Sequence, residues 1–566
     1  MKKQWVVKTL EQSPPELPEY PGLILKLLAL RGITTDEAIR DFLDPDYNKL
    51  HDPFLFKQMQ PAVERIRSAI ERMQKITIYA DYDADAITAA ATLYLALQKL
   101  GAIVDCYIPD RFAEGYGLNP DAIKNICQGG TNLIITVDCG INAAEEAEVC
   151  KSLGVDLIIT DHHELTGGLP QALAIINPKN PHDEYPFSYL TGVGVAFKLV
   201  QALFTSAPTL RSGQPAVAGW EKWLLDLVAL GTVADLQSLS GENRILVSFG
   251  LKVLAKTRWP GLKALLATAA LKSDKYDAFT LGFILAPRIN AAGRIKHADA
   301  AFKLLISQNP LEAETLAKEL DELNRHRQVL TEQITSEARS QLELIADKKV
   351  LLALGADWPK GVVGLVAGRL SEEYNRPVLA LSSSGGVATG SARSTANFDM
   401  VAALKFAQEL LQKYGGHTQA AGFTLATENV SGFHQKLLEY AEVSGHIIAE
   451  PVKEVDAEVF ASDITWDNLG YLERLGPYGF GNPKPKLLGR GLEVVECKTV
   501  GASNQHLKLK VRFGEHMLEA IAFSQGFMVK MSLLGKKIDA VFELTANEWN
   551  GHKDMQLKIS DLKIND

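Results

Sequence analysis

Ile76-Thr77-Ile78-Tyr79-Ala80-Asp81-Tyr82-Asp83-Ala84-Asp85-Ala86-Ile87 opens as an apolar run and breaks into three alternating carboxylates. The run Ile76–Tyr79 has the length and composition of a short buried strand, and the stretch 88–100 that follows reads as a helix. In an open parallel sheet, ligands gather beyond the carboxyl ends of the strands, where this motif begins. On extended backbone Asp81, Asp83 and Asp85 project to one side and repel one another unless a cation sits among them.

Working outward, apolar strands alternate with helical stretches: 103–108, 133–137, 157–160 and 172–176 are strands, with helices over 120–127 and 143–153. Such βαβ alternation predicts a doubly wound, mostly parallel sheet. Two more of these strands end in metal-ligand chemistry. Thr136-Val137-Asp138-Cys139-Gly140 places one carboxylate at a strand end, and Thr160-Asp161-His162-His163 closes another. Asp235 follows the apolar stretch Leu227–Ala234, where a bare exposed carboxylate would be out of place.

A calcium loop of the EF-hand type also begins with alternating aspartates. It needs glycine at its sixth position and glutamate at its twelfth, where this chain has Ala86 and Thr92. Carboxylates mixed with imidazole suit manganese or magnesium, and no thiolate cluster offers a zinc site. Asp83, Asp85, Asp138, His162 and Asp235 supply ligands enough for two ions, the arrangement used for in-line attack on phosphorus. Hydrolysis of a phosphate ester is the expected chemistry.

The 566 residues exceed one core, and the expected division is an N-terminal extension over 1–55, a first α/β unit over 56–240 and a helical connector over 241–345. A second α/β unit over 346–446 and a small antiparallel β-barrel over 447–566 complete it. The connector ends in a long charged helix over 311–345. A net charge of −9 argues against a protein that coats nucleic acid, though not against a local grip on one strand. Five cysteines with no CxxC pair indicate reduced thiols. The opening residues lack the apolar run of a signal peptide, and no stretch reaches the eighteen or so apolar residues of a membrane span, so a cytosolic location is expected.

These motifs resemble the DHH phosphoesterase family, named for the triplet found here as Asp161-His162-His163, and within it the bacterial single-strand exonucleases. The likeness extends through 109–112, 114–117, Ile176-Asn177-Pro178, Thr191–Phe197, Gly231–Asp235, Pro287–Arg294, Gly361–Gly364, Gly390–Ser394, Gly415-Gly416-His417 and Ala420-Ala421-Gly422. The resemblance implies a DHH domain, a DHH-associated domain and a C-terminal OB-fold. It implies that Asp138 bridges two Mn2+ or Mg2+ ions, with Asp85, His162 and Asp235 on one and Asp83 on the other, Asp81 and His163 close by. It also implies that Arg111, Arg288, Asn290, Arg294, Ser391, Arg393 and Ser394 hold the strand and that His417 faces the reacting centre.

The implied activity is 5′-to-3′ hydrolysis of single-stranded DNA to 5′-mononucleotides, in repair and recombination alongside a single-strand-binding protein. A nanoRNA or phosphoadenosine phosphatase of the same family is an alternative, although those chains are shorter and lack the barrel. A silenced replication scaffold is another, although no ligand is missing here. Family members generally carry glycine where Ala80 and Ala86 stand, which predicts a less tolerant loop that still holds metal. Lys508, Lys510 and Arg512 are expected to line a groove on the barrel.

Overall fold

The computed structural model describes residues 4–10, 13–111, 114–115, 117–206, 219–271, 275–448, 452–549 and 552–565. Residues 112 and 116 of the quoted motifs lie outside these. No helix among the described residues is long and apolar enough to cross a membrane.

Five parallel strands form the first sheet, in the order Ile103–Tyr107, Lys75–Ala80, Thr131–Val137, Asp156–Thr160 and Ala174–Ile176. Their side chains alternate between two buried faces. Ile76, Ile78, Leu133, Ile135 and Ile158 pack on the helices Met59–Glu71, Ala84–Lys99 and Gly192–Ser206. Tyr79, Ile134, Leu157 and Ile159 meet Pro120–Gln128 and Ala144–Ser152 on the other face. This is the predicted doubly wound layer. Its register pairs Ala80 with Val137 and Val137 with Thr160, so the next residues, Asp81, Asp138 and Asp161, leave the sheet side by side.

The helix Leu225–Ala234, buried along almost its whole length, brings Asp235 to the same end. The connector finishes in Pro310–Glu343, a 34-residue helix with Asn309 as its cap. It leads to a mixed sheet rather than a second parallel one. Leu351–Ala356 and Val378–Ser384 are parallel, whereas Val387–Arg393, Ala420–Ala426 and Lys413–His417 run antiparallel beyond them. Short turns such as Gly385-Gly386 permit that hairpin pairing, which a βαβ crossover would not.

The C-terminal strands Leu487–Val500, His506–Phe513, His516–Ala522, His552–Ile564 and Lys537–Trp549 close on themselves where the first pairs with the last. The N-terminal stretch differs from a separate extension. Gln4–Val7 pairs with Val452–Val455, and the helices Gly22–Ala29 and Asp36–Leu43 bury Ile24, Leu27, Leu28, Ile39 and Leu43 in the barrel's own core. The apolar stripe of these short helices needs a partner, and the barrel supplies it. Arg244, buried in the helix Gly241–Leu254 that opens the connector, fastens this combined unit. Its guanidinium donates to the carbonyls of Phe42 at 2.8 Å, Leu475 at 3.0 Å, Arg474 at 3.0 Å and Gly476 at 2.6 Å.

Candidate metal centre and phosphate cleft

The first acidic motif is not one extended run. The strand stops at Ala80, and Asp83 caps the helix Ala84–Lys99, accepting from the N–H groups of Asp85 at 2.9 Å and Ala86 at 3.0 Å. Asp85 therefore lies in the first helical turn, fully buried. Neither Ala80 nor Ala86 adopts a positive φ, so the methyl groups impose no strain on this loop. The capping propensity of Asp83 ahead of an alanine-rich run explains why the helix begins four residues earlier than its apolar pattern suggests.

A second helix N-terminus holds the Asp85 carboxylate. Gly192 N–H donates to its Oδ2 at 2.6 Å and Val193 N–H to its Oδ1 at 2.9 Å. Glycine is required at 192, because a Cβ there would stand 2.5 Å from Asp138 Cβ. Asp138 itself has φ 61°, a left-handed conformation costly for a non-glycine residue and typical of functional sites.

His162 Nε2 is the point of convergence. It lies 3.0 Å from Asp138 Oδ1, 3.7 Å from Asp235 Oδ2 and 3.9 Å from Asp85 Oδ2. Burial, reinforced by His163, pushes His162 down to about 3, so the ring is a neutral ligand donor. Burial raises Asp85 and Asp138 well above the carboxylate range, with neighbouring carboxylates adding to it. Burial and Asp83 push Asp81 up to about 8, and burial with Asp83 likewise pushes Asp235 up to about 7. Among the described residues no lysine or arginine forms an ion pair with these four carboxylates.

Divalent cations fit this donor set. Asp81 Oδ1, Asp138 Oδ1, Asp235 Oδ2 and His162 Nδ1 are buried without a hydrogen-bond partner, and desolvated oxygens in one cluster need positive charge to ionise together. The ligand atoms of Asp85, His162 and Asp235 lie within 4.8 Å of one another, as do those of Asp138, His162 and His163. Oxygen donors with one or two imidazoles match manganese and magnesium.

Asp161 behaves differently from its neighbours. It accepts from His162 N–H at 2.7 Å, His163 N–H at 3.1 Å and Ile141 N–H at 2.9 Å, and its Oδ1 sits 2.7 Å from His163 Nδ1. Its burial opposes ionisation, but the His163 and Ile141 hydrogen bonds outweigh it and hold Asp161 below the usual range. Burial acts against charge on His163 too, yet Asp161 raises it above its ordinary value. The pair fixes the His163 ring beside the cluster.

The residues expected to hold the strand divide into two groups. The Arg111 guanidinium lies 4.9 Å from the Tyr82 ring centroid. Arg294 donates to Gly361 O at 3.1 Å, and burial followed by the charges of Arg111 and Arg327 pushes it down to about 10. Ser391 and Arg393 border Gly364, where a Cβ would meet Ser391 Oγ at 3.3 Å and Arg393 Nη2 at 3.5 Å. His417 is exposed and pairs across Ala420 with Arg393, two strands away.

The remaining three serve the framework. Arg288 is engaged by Asp321, at 3.0 Å from Nε and 2.9 Å from Nη2, and by Ile284 O at 2.5 Å. Asn290 Oδ1 accepts from Ala84 N–H at 2.9 Å, which ties the connector to the first motif. Ser394 Oγ donates to Phe398 O at 2.7 Å. On the barrel, Lys508, Lys510 and Arg512 face Glu519, Glu496 and Glu493 at 3.0, 3.8 and 3.3 Å, which leaves no bare basic groove from these three. Arg327, on the long helix, is a cation near Arg294 that sequence reasoning missed, because one more arginine in a charged helix gives no signal.

The comparisons with known proteins agree with this layout. Residues 75–232 match the model of the DHH family N-terminal domain, 347–442 the DHHA1 domain and 455–561 the RecJ OB domain. The single-stranded-DNA-specific exonuclease RecJ of Bacillus subtilis is 40% identical over 576 residues, covering 100% of this chain and 71% of that one. That of Escherichia coli is 33% identical, covering 99% of this chain and 100% of its own. The crystal structure of RecJ from Thermus thermophilus in complex with Mn2+ superimposes with a TM-score of 0.82 at 30% identity, over 100% of this chain and 80% of that one. The Mg2+ complex of that protein gives 0.76 at 29% identity, over 100% of this chain and 79% of that one.

Proposed function

The chain belongs to the RecJ family, and from that membership we propose that it is a metal-dependent exonuclease that hydrolyses single-stranded DNA in the 5′-to-3′ direction to 5′-mononucleotides. The observation that carries the reading is the set of orphaned buried oxygens of Asp81, Asp138 and Asp235 around His162, a site whose carboxylates need cations to ionise. Asp83, Asp85, Asp138, His162 and Asp235 would hold two Mn2+ or Mg2+ ions, with Asp81 beside them; the ligand atoms of Asp85, His162 and Asp235 already converge. When bound, the ions supply an activated water and neutralise charge on the phosphoryl group.

The chain's own residues do the rest. Gly192 and Val193 N–H groups fix the Asp85 carboxylate, and Asp161 fixes the turn that presents both histidines. His163, held by Asp161 at Nδ1, contributes its imidazole to the site beside the cluster. Arg111, Arg294, Ser391 and Arg393 bind the phosphates of the strand, with guanidinium forks matched to phosphate oxygens. Ser391 and Arg393 belong to the DHHA1 domain, Arg111 to the DHH domain and Arg294 to the connector between them, so a bound strand spans all three. His417 orients the reacting phosphate from the DHHA1 side.

The barrel extends strand binding, and the enzyme acts in the cytosol on strands covered by single-strand-binding protein. The test is turnover of a 3′-labelled single strand, its duplex and a dinucleotide in Mn2+. Stepwise shortening from the 5′ end of the single strand is expected; cleavage of the dinucleotide alone would replace this reading with the phosphatase.

A further inference from the structure

Thr280–Leu285 forms a short π-helix directly ahead of Ala286–Ile295. Pro287 accounts for it, since proline has no N–H for the carbonyl of residue 283 and its ring pushes that carbonyl away, which widens the preceding turn. The turn carries Phe283, with Phe279 at its start. Their rings stack with centroids 4.8 Å apart and planes 18° from parallel. Phe279 is nevertheless 59% exposed and Phe283 72%.

The pair stands on a fixed base. Asp277 Oδ1 accepts from Thr280 N–H at 2.9 Å and from Thr280 Oγ1 at 2.8 Å, and Leu281 and Leu285 are buried beneath. Gly282 packs on Val233, where a Cβ would stand 3.1 Å from Val233 Cγ1. Val233 is two residues before Asp235. In the other direction the same stretch of chain runs into Asn290, which holds the first acidic motif, and Arg294. Two more exposed apolar side chains stand on the chain that follows: Leu236, next to Asp235 and 67% exposed, and Phe480, 66% exposed, whose carbonyl accepts from Leu239 N–H at 2.9 Å.

We propose that Phe279 and Phe283 form a stacking platform for bases of the single strand where it leaves the phosphate cleft. The proposal rests on the single-strand reading above and adds to it a contact that reads ring faces rather than phosphates. The occupant follows from continuity: the platform shares one rigid segment with Arg294 and abuts the helix that ends in Asp235. Stacked aromatic faces accept any base, which suits an enzyme that consumes strands irrespective of sequence.

The test measures binding of 3′-fluorescein oligo-dT in the Asp138→Ala background, where the strand is not consumed. Replacing both phenylalanines by alanine is expected to raise Kd by about tenfold or more. Phe279→Leu with Phe283→Leu keeps apolar area without rings and should lose as much, whereas the double tyrosine variant should bind like the parent. A single abasic residue moved along the strand should weaken the parent at one or two positions and leave the alanine variant flat there. Leucine variants that bind like the parent, or the same abasic profile in parent and alanine variant, would overturn the platform while leaving the exonuclease reading intact. Failure of the unsubstituted chain to bind or shorten oligo-dT would remove the exonuclease reading itself. Equal thermal midpoints show that the variants fold.

Discussion

Asp138 Oδ1 and His162 Nε2 approach to 3.0 Å across the ends of adjacent parallel strands, with no hydrogen bond recorded for that oxygen. A neutral imidazole and a buried carboxylate so placed could share a cation. Asp138→Ala should lower turnover of single strands by more than about a thousandfold and weaken Mn2+ binding in calorimetry. Its thermal midpoint without metal should hold or rise, because one desolvated carboxylate and one left-handed aspartate are removed. Unchanged turnover would overturn the ligand assignment.

Gly192→Ala tests the cradle without replacing a ligand. The added Cβ would fall 2.5 Å from Asp138 Cβ, and relief requires the helix start to move away from the sheet. That movement pulls the 192 and 193 N–H groups off Asp85. A loss of about 1–3 kcal/mol in stability is expected from overpacking, together with a drop in Mn2+ affinity of about tenfold. Denaturant midpoints and metal titrations read the two effects separately.

Arg288 and Arg393 looked equivalent as phosphate holders, and the structure separates them. Arg288→Ala should cost about 1–3 kcal/mol of stability, since it abandons Asp321 and the Ile284 carbonyl, and should leave the salt dependence of strand binding unchanged. Arg393→Ala should leave stability nearly intact and reduce the salt slope of strand binding by about one. The reverse pattern would exchange their roles.

Strand ends carrying carboxylates were legible because a parallel sheet forces its ligands to one edge, so Asp81, Asp138 and Asp161 could be placed from apolar runs alone. The capping by Asp83 and the turn-fixing by Asp161 were not, because an aspartate whose oxygen accepts from nearby backbone N–H groups looks in sequence like any other carboxylate. The N-terminal helices gave no hint of their partner. Their apolar stripe specifies burial, and the barrel they join begins some four hundred residues later. The framework contacts of Arg288, Asn290 and Ser394 were hidden for a related reason: a polar residue in a motif does not reveal its backbone partners.

Asp226 gives the protein a pH-dependent stability distinct from the metal centre. Its carboxyl is fully buried, accepts from Thr257 Oγ1 at 2.7 Å and Leu227 N–H at 2.9 Å, and is pushed up to about 7 by burial. A folded value above the unfolded one of about 3.9 means that its contribution is fully present below about pH 4 and is lost as pH rises to about 7. Asp226→Asn should therefore flatten the decline in urea midpoint across that window and gain stability at pH 8 by a few kcal/mol at most. Midpoints measured from acid to neutral pH with saturating Mn2+ decide it; parallel curves for the two proteins would assign the slope elsewhere.

Arg244 governs whether the barrel stays docked. One guanidinium satisfies four carbonyls, three from residues 474–476 and one from Phe42, and it lies over the Phe42 ring at 3.6 Å from the centroid. Burial pushes it down to about 10, so it remains charged at neutral pH and its bonds are of the stronger, charge-assisted kind. Arg244→Met keeps much of the volume and leaves the carbonyls without a donor. A loss of about 3 kcal/mol or more is expected at this junction, which exceeds what scattered surface contacts would restore. The barrel and the N-terminal helices should then release together, because they share one core, and protease cleavage near residues 445–456 should rise while the DHH domain resists. Turnover of short strands should survive and that of long strands fall. Release of the barrel without the N-terminal helices would contradict the shared core.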